Sequence, residues 1–178
     1  DMLSLNFQPV SYSGLGGGKF AHDPNDRLTI SGLIQRLITQ SDGLFLDGDF
    51  TPLPCSHPQC VSLSYLLKLN DGSYIPFARF ADFTRHGDLL RSSATLPASD
   101  EIHDVMHEII HDVFAREDEV DRGSEILAAL RRSLEVMFPD RPLTPVEATR
   151  IGEGQAKSIF IHHYMHRHDF DLERLRKC

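Results

Sequence analysis

Apolar and polar positions along the chain divide it into a β-rich first part and a helical remainder. Residues 3 to 12, "LSLNFQPVSY", alternate well enough for a buried strand that ends or bends at Pro9. A glycine-rich loop, "SGLGGGKFAHDPND", follows and closes in turn signals. "RLTISGLIQRLITQSDG" then reads as an amphipathic helix. Thr29 or Ser31 is its N-cap, and Ile30, Leu33, Ile34, Leu37 and Ile38 form its apolar stripe. Strand, loop and helix in that order make one βα unit. Further on, "SLSYLLKLNDGSYIPFARF" predicts a hairpin, with β-rich runs on either side of Asn70, Asp71 and Gly72.

From residue 99 onwards the period changes to that of helices. A helix over 99–116 starts at Ser99 or Asp100 and places Ile102, Val105, Met106, Ile109, Val113 and Phe114 on one face. A second helix, over 124–138, carries Ile126, Leu127, Leu130, Leu134 and Phe138 and stops at Pro139. "TPVEATRIGEGQAKSIFIHHYMH" begins with a cap-like Thr144 and Pro145 and reads as a third helix, weakened by Gly152 and Gly154. "DFDLERLRKC" forms a last short helix, and no repeat or low-complexity segment interrupts the series.

Length and composition narrow the function classes. At 178 residues the chain can bury a proper core. A net charge of −8 offers no basic face for nucleic acid or an anionic membrane. No apolar run approaches the roughly 18 residues that a membrane-spanning helix needs. Three cysteines in 178 residues do not describe a secreted disulfide scaffold, so a cytoplasmic location is expected. The first residues already read as strand and the last as helix, so a piece of a longer polypeptide is expected.

Cysteine spacing is the main chemical signal. Cys55 and Cys60 stand in a C-x4-C turn between prolines, with His57 between them. Proline restricts the loop before any ligand arrives, so less entropy is lost when a soft metal ion is held. Two thiolates do not complete a tetrahedral zinc site or an iron–sulfur cluster, and Cys178 is the third cysteine. A pair of free thiols accounts for the same spacing.

Histidines supply a second signal. His103, His107 and His111 recur four apart along a predicted helix, and "HEIIH" at 107–111 matches the zinc-hydrolase pattern. In that reading His107 and His111 bind zinc and Glu108 is the general base. "DVFARE" after it supplies neither the glycine nor the third histidine of the extended motif, and a polar helix flank is the better account of these residues. His162, His163, His166 and His168, followed by Asp169 and Asp171, read as a metal or proton-transfer cluster or as a solvated helix end. "SGLGGGKF" has neither phosphate-loop spacing, and a tight strand-to-helix crossing explains its glycines.

Taken in order, "SLNFQPVSYSG", "RLTISGLIQRLITQ", "DFTPLPCSHPQCVSLSYLL", "DGSYIPFARF" and "HDFDLERLRKC" resemble the C-terminal part of a radical SAM protein of the tetraether lipid synthase-like group. The most specific stretches are D-F-x-P-L-P-C-x-H-P-x-C at 49–60 and D-F-D-L-E-R-L-x-K-C at 169–178; the helical middle is not diagnostic. The resemblance implies an α/β fold. Its residues 1–48 end a partial (β/α) barrel, 49–98 form a cysteine loop and hairpin around an auxiliary metal, and 99–178 form a mainly helical C-terminal region. It also implies that Cys55, Cys60 and Cys178 are ligands of an auxiliary [4Fe–4S] centre. The whole enzyme would use S-adenosylmethionine and an electron-donor protein for radical chemistry on a small molecule, a lipid or another hydrophobic substrate. C-x3-C-x2-C, which holds the radical-generating cluster in such enzymes, is absent from these 178 residues. A structural zinc module built on Cys55 and Cys60 remains the alternative, with the HEIIH hydrolase behind it.

Overall fold

β3, Val61–Lys68, organises the molecule: seven of its eight residues are buried, which a strand achieves only when both faces of its sheet are covered. In this computed structural model, residues 4–12, 23, 27–53, 56–87, 98–166 and 170–176 are described. Chain order is β1 (Ser4–Phe7), α1 (Ile30–Gln40), β2 (Thr51–Pro52), β3, β4 (Tyr74–Pro76), a 3-10 turn (Phe77–Arg79), α2 (Asp100–Ala115), α3 (Gly123–Met137), α4 (Pro145–Gln155), β5 (Ala156–His162) and α5 (Leu172–Arg176).

The sheet runs β1-β5-β3-β2, with β4 also on β3. β1 and β5 are parallel, with Phe7 opposite Ile161, and every other pairing is antiparallel. β5 and β3 pair from Val61–His162 to Leu67–Ala156. The fold is therefore mixed α/β, as expected. The β5 segment is a correction, since "AKSIFIH" reads as the end of a helix and is instead a central strand. Thr144 does cap α4, and the Thr144–Glu147 capping box with Pro145 in the first turn starts it firmly. The helix then stops at Gln155, and Ala156 turns extended. From there Ile159 and Ile161 alternate inward in a strand rhythm.

Each sheet face has its own partner. Leu63, Tyr65 and Leu67 point into the larger core with Ile102, Ile109 and Val113 of α2 and Ile126 and Leu130 of α3. Leu66, Ile159 and Ile161 point the other way, towards α1 and Phe45. The α2 stripe is as the period predicts except for Phe114, which is exposed. Thr29 is the α1 cap and Ser99 the α2 cap, each accepting a backbone N–H of the first turn. The expected hairpin forms around Gly72, whose φ of 87° suits a residue without Cβ, though its second arm is only three residues long. Gly123 is fixed by close approach, because a Cβ there would run into the Glu117 carbonyl.

Candidate metal centre at the cysteine end of the sheet

The parallel strands β1 and β5 end on the same side of the sheet, and antiparallel β3 begins there. Loops at such carboxyl ends are where α/β sheets gather ligands. Three segments converge: the turn before β3, the stretch after β5, and α5.

Motif residues upstream of the cysteines act as anchors. Asp49, almost fully buried, takes Arg79 in a fork, with Nη2 at 2.6 Å from Oδ2 and Nε at 3.1 Å from Oδ1. Its Oδ2 also accepts from Leu46 N at 2.7 Å, while Arg79 Nη2 donates to Leu44 O. Phe50 packs on Phe45, and Leu53 enters the main core. β2 then pairs with β3 through Thr51–Leu63 and Pro52–Ser62, which ties down both arms of the cysteine loop. Within the loop, Cys60 N donates to His57 O at 2.8 Å and Gln59 N to His57 Nδ1 at 3.2 Å. His57 therefore serves the turn.

Cys60 is 5% exposed. Its Sγ accepts a hydrogen bond from Arg174 Nε at 3.0 Å, across 114 residues of sequence. Arg174 is the buried residue of α5; its Nη2 donates to Gln59 O at 2.8 Å and His163 O at 3.2 Å and stands 3.3 Å from His163 Nδ1. Asp171 starts this short helix by accepting from Glu173 N and Arg174 N. His163 N donates to Cys60 O at 2.8 Å, continuing the β3–β5 ladder beyond Val61–His162. His166 Nδ1 accepts from Tyr12 N at 3.3 Å, and the His163 and His166 rings are 5.6 Å apart. His163 and His166 are buried, so the solvated helix end considered for this histidine run does not apply to them. His162 is half-buried, and burial lowers its pKa.

Of the three expected metal ligands, Cys60 is in place, and Cys55 and Cys178 lie outside the described residues, as do His168, Asp169 and the glycine-rich stretch 13–20. A buried sulfur receiving a guanidinium hydrogen bond is suited to thiolate ligation, because such outer-sphere donors orient and stabilise metal-bound sulfur. Among the described residues, no group of three or more His, Cys, Asp or Glu side chains is arranged to hold a metal ion. The donor set fits an iron–sulfur or zinc centre in kind, with Cys60 as its described member.

The α2 histidines form a different arrangement. His103 and His107 bring their Nε2 atoms to 3.2 Å, and His103 packs edge-on against Phe138. Glu108 faces Arg85 at 3.4 Å and His86 at 3.7 Å, while His111 borders a shallow groove with Ile110 and Phe114.

Arg174 was not legible as a site residue. Its partner lies 114 residues away, and either arginine of "LERLR" has the appearance of a solvated helix charge.

No family model matches the chain. It is similar to a 7,8-dihydro-6-hydroxymethylpterin dimethyltransferase of Methanocaldococcus jannaschii, 23% identical over 202 aligned positions that span 98% of this chain and 38% of that protein. The chain thus spans well under half the length of that relative. Among the described residues, no helix is long and apolar enough to cross a membrane.

Proposed function

We propose that this chain is part of a radical SAM enzyme and carries an auxiliary metal centre bound by Cys55, Cys60 and Cys178. One observation carries the reading: the Arg174–Cys60 hydrogen bond joins the two most specific stretches of the sequence, 49–60 and 169–178, at one end of the sheet. In this reading β1 and α1 form a late βα unit of the partial barrel. Arg174 holds Cys60 in place, and the Asp49–Arg79 fork fixes the loop from below. An iron–sulfur centre at this position supplies one-electron transfer or a docking point for substrate. The radical itself derives from S-adenosylmethionine at a cluster held elsewhere in the whole protein, with electrons from a donor protein.

The relative is by name a dimethyltransferase acting on a pterin. By extension we propose transfer of a carbon group to a small molecule, either heterocyclic or hydrophobic, with lipids included in that class. Full-length protein, purified anaerobically and reduced with dithionite, should convert S-adenosylmethionine to 5′-deoxyadenosine. Zinc without iron, together with no cleavage after iron and sulfide reconstitution, would replace this reading with a structural zinc module.

A further inference from the structure

A second feature lies on the sheet face that packs against α1. Between α1, α4 and the sheet face that carries Leu66 and Ile159 is a cavity of about 570 Å³, within the range of small-molecule sites. Phe7, Leu37, Phe45 and Leu66 make its wall apolar. Its polar lining is of one sign, with Lys68 at the end of β3, Lys157 at the start of β5 and Arg150 from α4. Among the described residues no Asp or Glu side chain lines it, in a chain of net charge −8. None of the three cations forms an ion pair with a carboxylate among the described residues. Lys157 is 9% exposed, and its Nζ donates to Glu153 O at 3.0 Å.

Holding Lys157 buried beside Lys68 and an apolar wall is unfavourable without an anion, because its charge loses hydration and is repelled by the neighbouring lysine. Burial first, then the Lys68 cation, lowers the Lys157 pKa, while the Glu153 carboxylate opposes them. An anionic head beside Lys157 and Lys68 relieves that repulsion, and an apolar tail fills the wall of Phe7, Leu37, Phe45 and Leu66. Leu66, opposite Lys157 in the sheet, is six residues along β3 from Cys60, about 20 Å at strand rise. The cationic end of the cavity is therefore remote from Cys60, while its Phe7 wall, opposite Ile161, lies nearer the cysteine end.

We propose that the cavity binds a single-chain amphipathic anion, head towards Lys68, Lys157 and Arg150 and tail between α1 and the sheet. The small volume favours one free molecule over a membrane surface, and Lys68, Lys157 and Arg150 select its charge.

The test is calorimetric titration of the full-length protein with dodecanoate below its micelle concentration, with dodecyl phosphate, dodecanol and acetate alongside. Dodecanoate or dodecyl phosphate should bind, their ratio showing which head is preferred. Dodecanol and acetate should each bind at least tenfold more weakly. Lys157→Gln should weaken the anion about tenfold, the size of one lost charge-assisted hydrogen bond. Gly154→Phe provides a variant that leaves the core intact, since a Cβ at Gly154, which borders the cavity, meets nothing within 4 Å. It should abolish binding with the melting temperature unchanged. Equal affinity for dodecanol, no binding of either anion to wild type, or binding unaffected by Gly154→Phe would overturn the proposal. So would co-sedimentation with anionic vesicles that Lys157→Gln weakens, in the absence of any binding of free anion.

Discussion

Replacing Arg174 by alanine tests whether the C-terminal stretch is held to the cysteine loop through one side chain. Arg174 is 5% exposed, and its guanidinium meets Cys60 Sγ, Gln59 O, His163 O and His163 Nδ1. The rest of α5 adds little burial, since Leu172 and Leu175 are exposed and Phe170 before them is 58% exposed. A hydrogen bond from a charged donor contributes about 1.5–3 kcal/mol. These contacts share one group and are not additive, and the loosened site admits water, so the local cost is about 3–5 kcal/mol. A cost of about 3 kcal/mol multiplies a local opening constant by about 150. Hydrogen exchange on the full-length protein should therefore accelerate at least a hundredfold in peptides covering 57–64 and 160–176, and Cys60 should become open to iodoacetamide. Peptides from α2 and α3 should keep their protection, since Arg174 touches neither helix. Arg174→Lys should retain little of the effect, because an ammonium lacks the planar fork that reaches sulfur and two carbonyls together. Unchanged exchange and unchanged thiol reactivity in Arg174→Ala would refute the anchoring argument.

Three further outcomes follow from the geometry. Asp49→Ala strips the partner from Arg79 and from Leu46 N, and should lower unfolding free energy by about 3 kcal/mol, read from the urea midpoint at constant m-value; a loss within experimental error would contradict a structural role for the motif's first residue. Acid stability should depend on Asp71 and Glu147, each brought to about 2: Asp71 mainly by its Ser73 hydrogen bonds and then Arg122, Glu147 mainly by the Thr144 backbone and then Arg141. Because folding depresses these values, their contribution is complete above the unfolded carboxylate range and is lost as pH falls from about 4.5 towards 2; Glu147→Gln should flatten part of that slope, and an identical pH profile would count against it. Glu108→Gln should leave metal content and S-adenosylmethionine cleavage unchanged, since Glu108 sits on an exposed flank with Arg85; loss of a peptidase or esterase activity in this variant would instead favour the hydrolase.

Local signals carried much of the architecture. Thr29, Ser99 and Thr144 cap the helices at the places their side-chain chemistry requires, and Asn70-Asp71-Gly72 turns the hairpin. β5 was hidden because Thr144 and Pro145 start a genuine helix, while the alternation of Ile159 and Ile161 is too short to be told from a helix end. Its strand identity comes from pairing with β3 and β1, both distant in the chain, and that pairing leaves no local trace. The site divides in the same way. Cys60 announced itself by spacing, whereas the motif's Asp49, Phe50 and Leu53 turned out to be anchors in a salt bridge and a core. Arg174 and the burial of His163 and His166 depend on tertiary contacts alone.

Iron and acid-labile sulfide, measured on the anaerobically purified full-length protein in wild type and in variants that remove Cys55, Cys60 or Cys178, test the central claim most directly. Wild type should carry iron and sulfide beyond one cluster, with one centre's worth lost from each variant and the remaining cluster intact. Iron and sulfide that do not change in any of the three variants would contradict a metal centre at the cysteine end of the sheet.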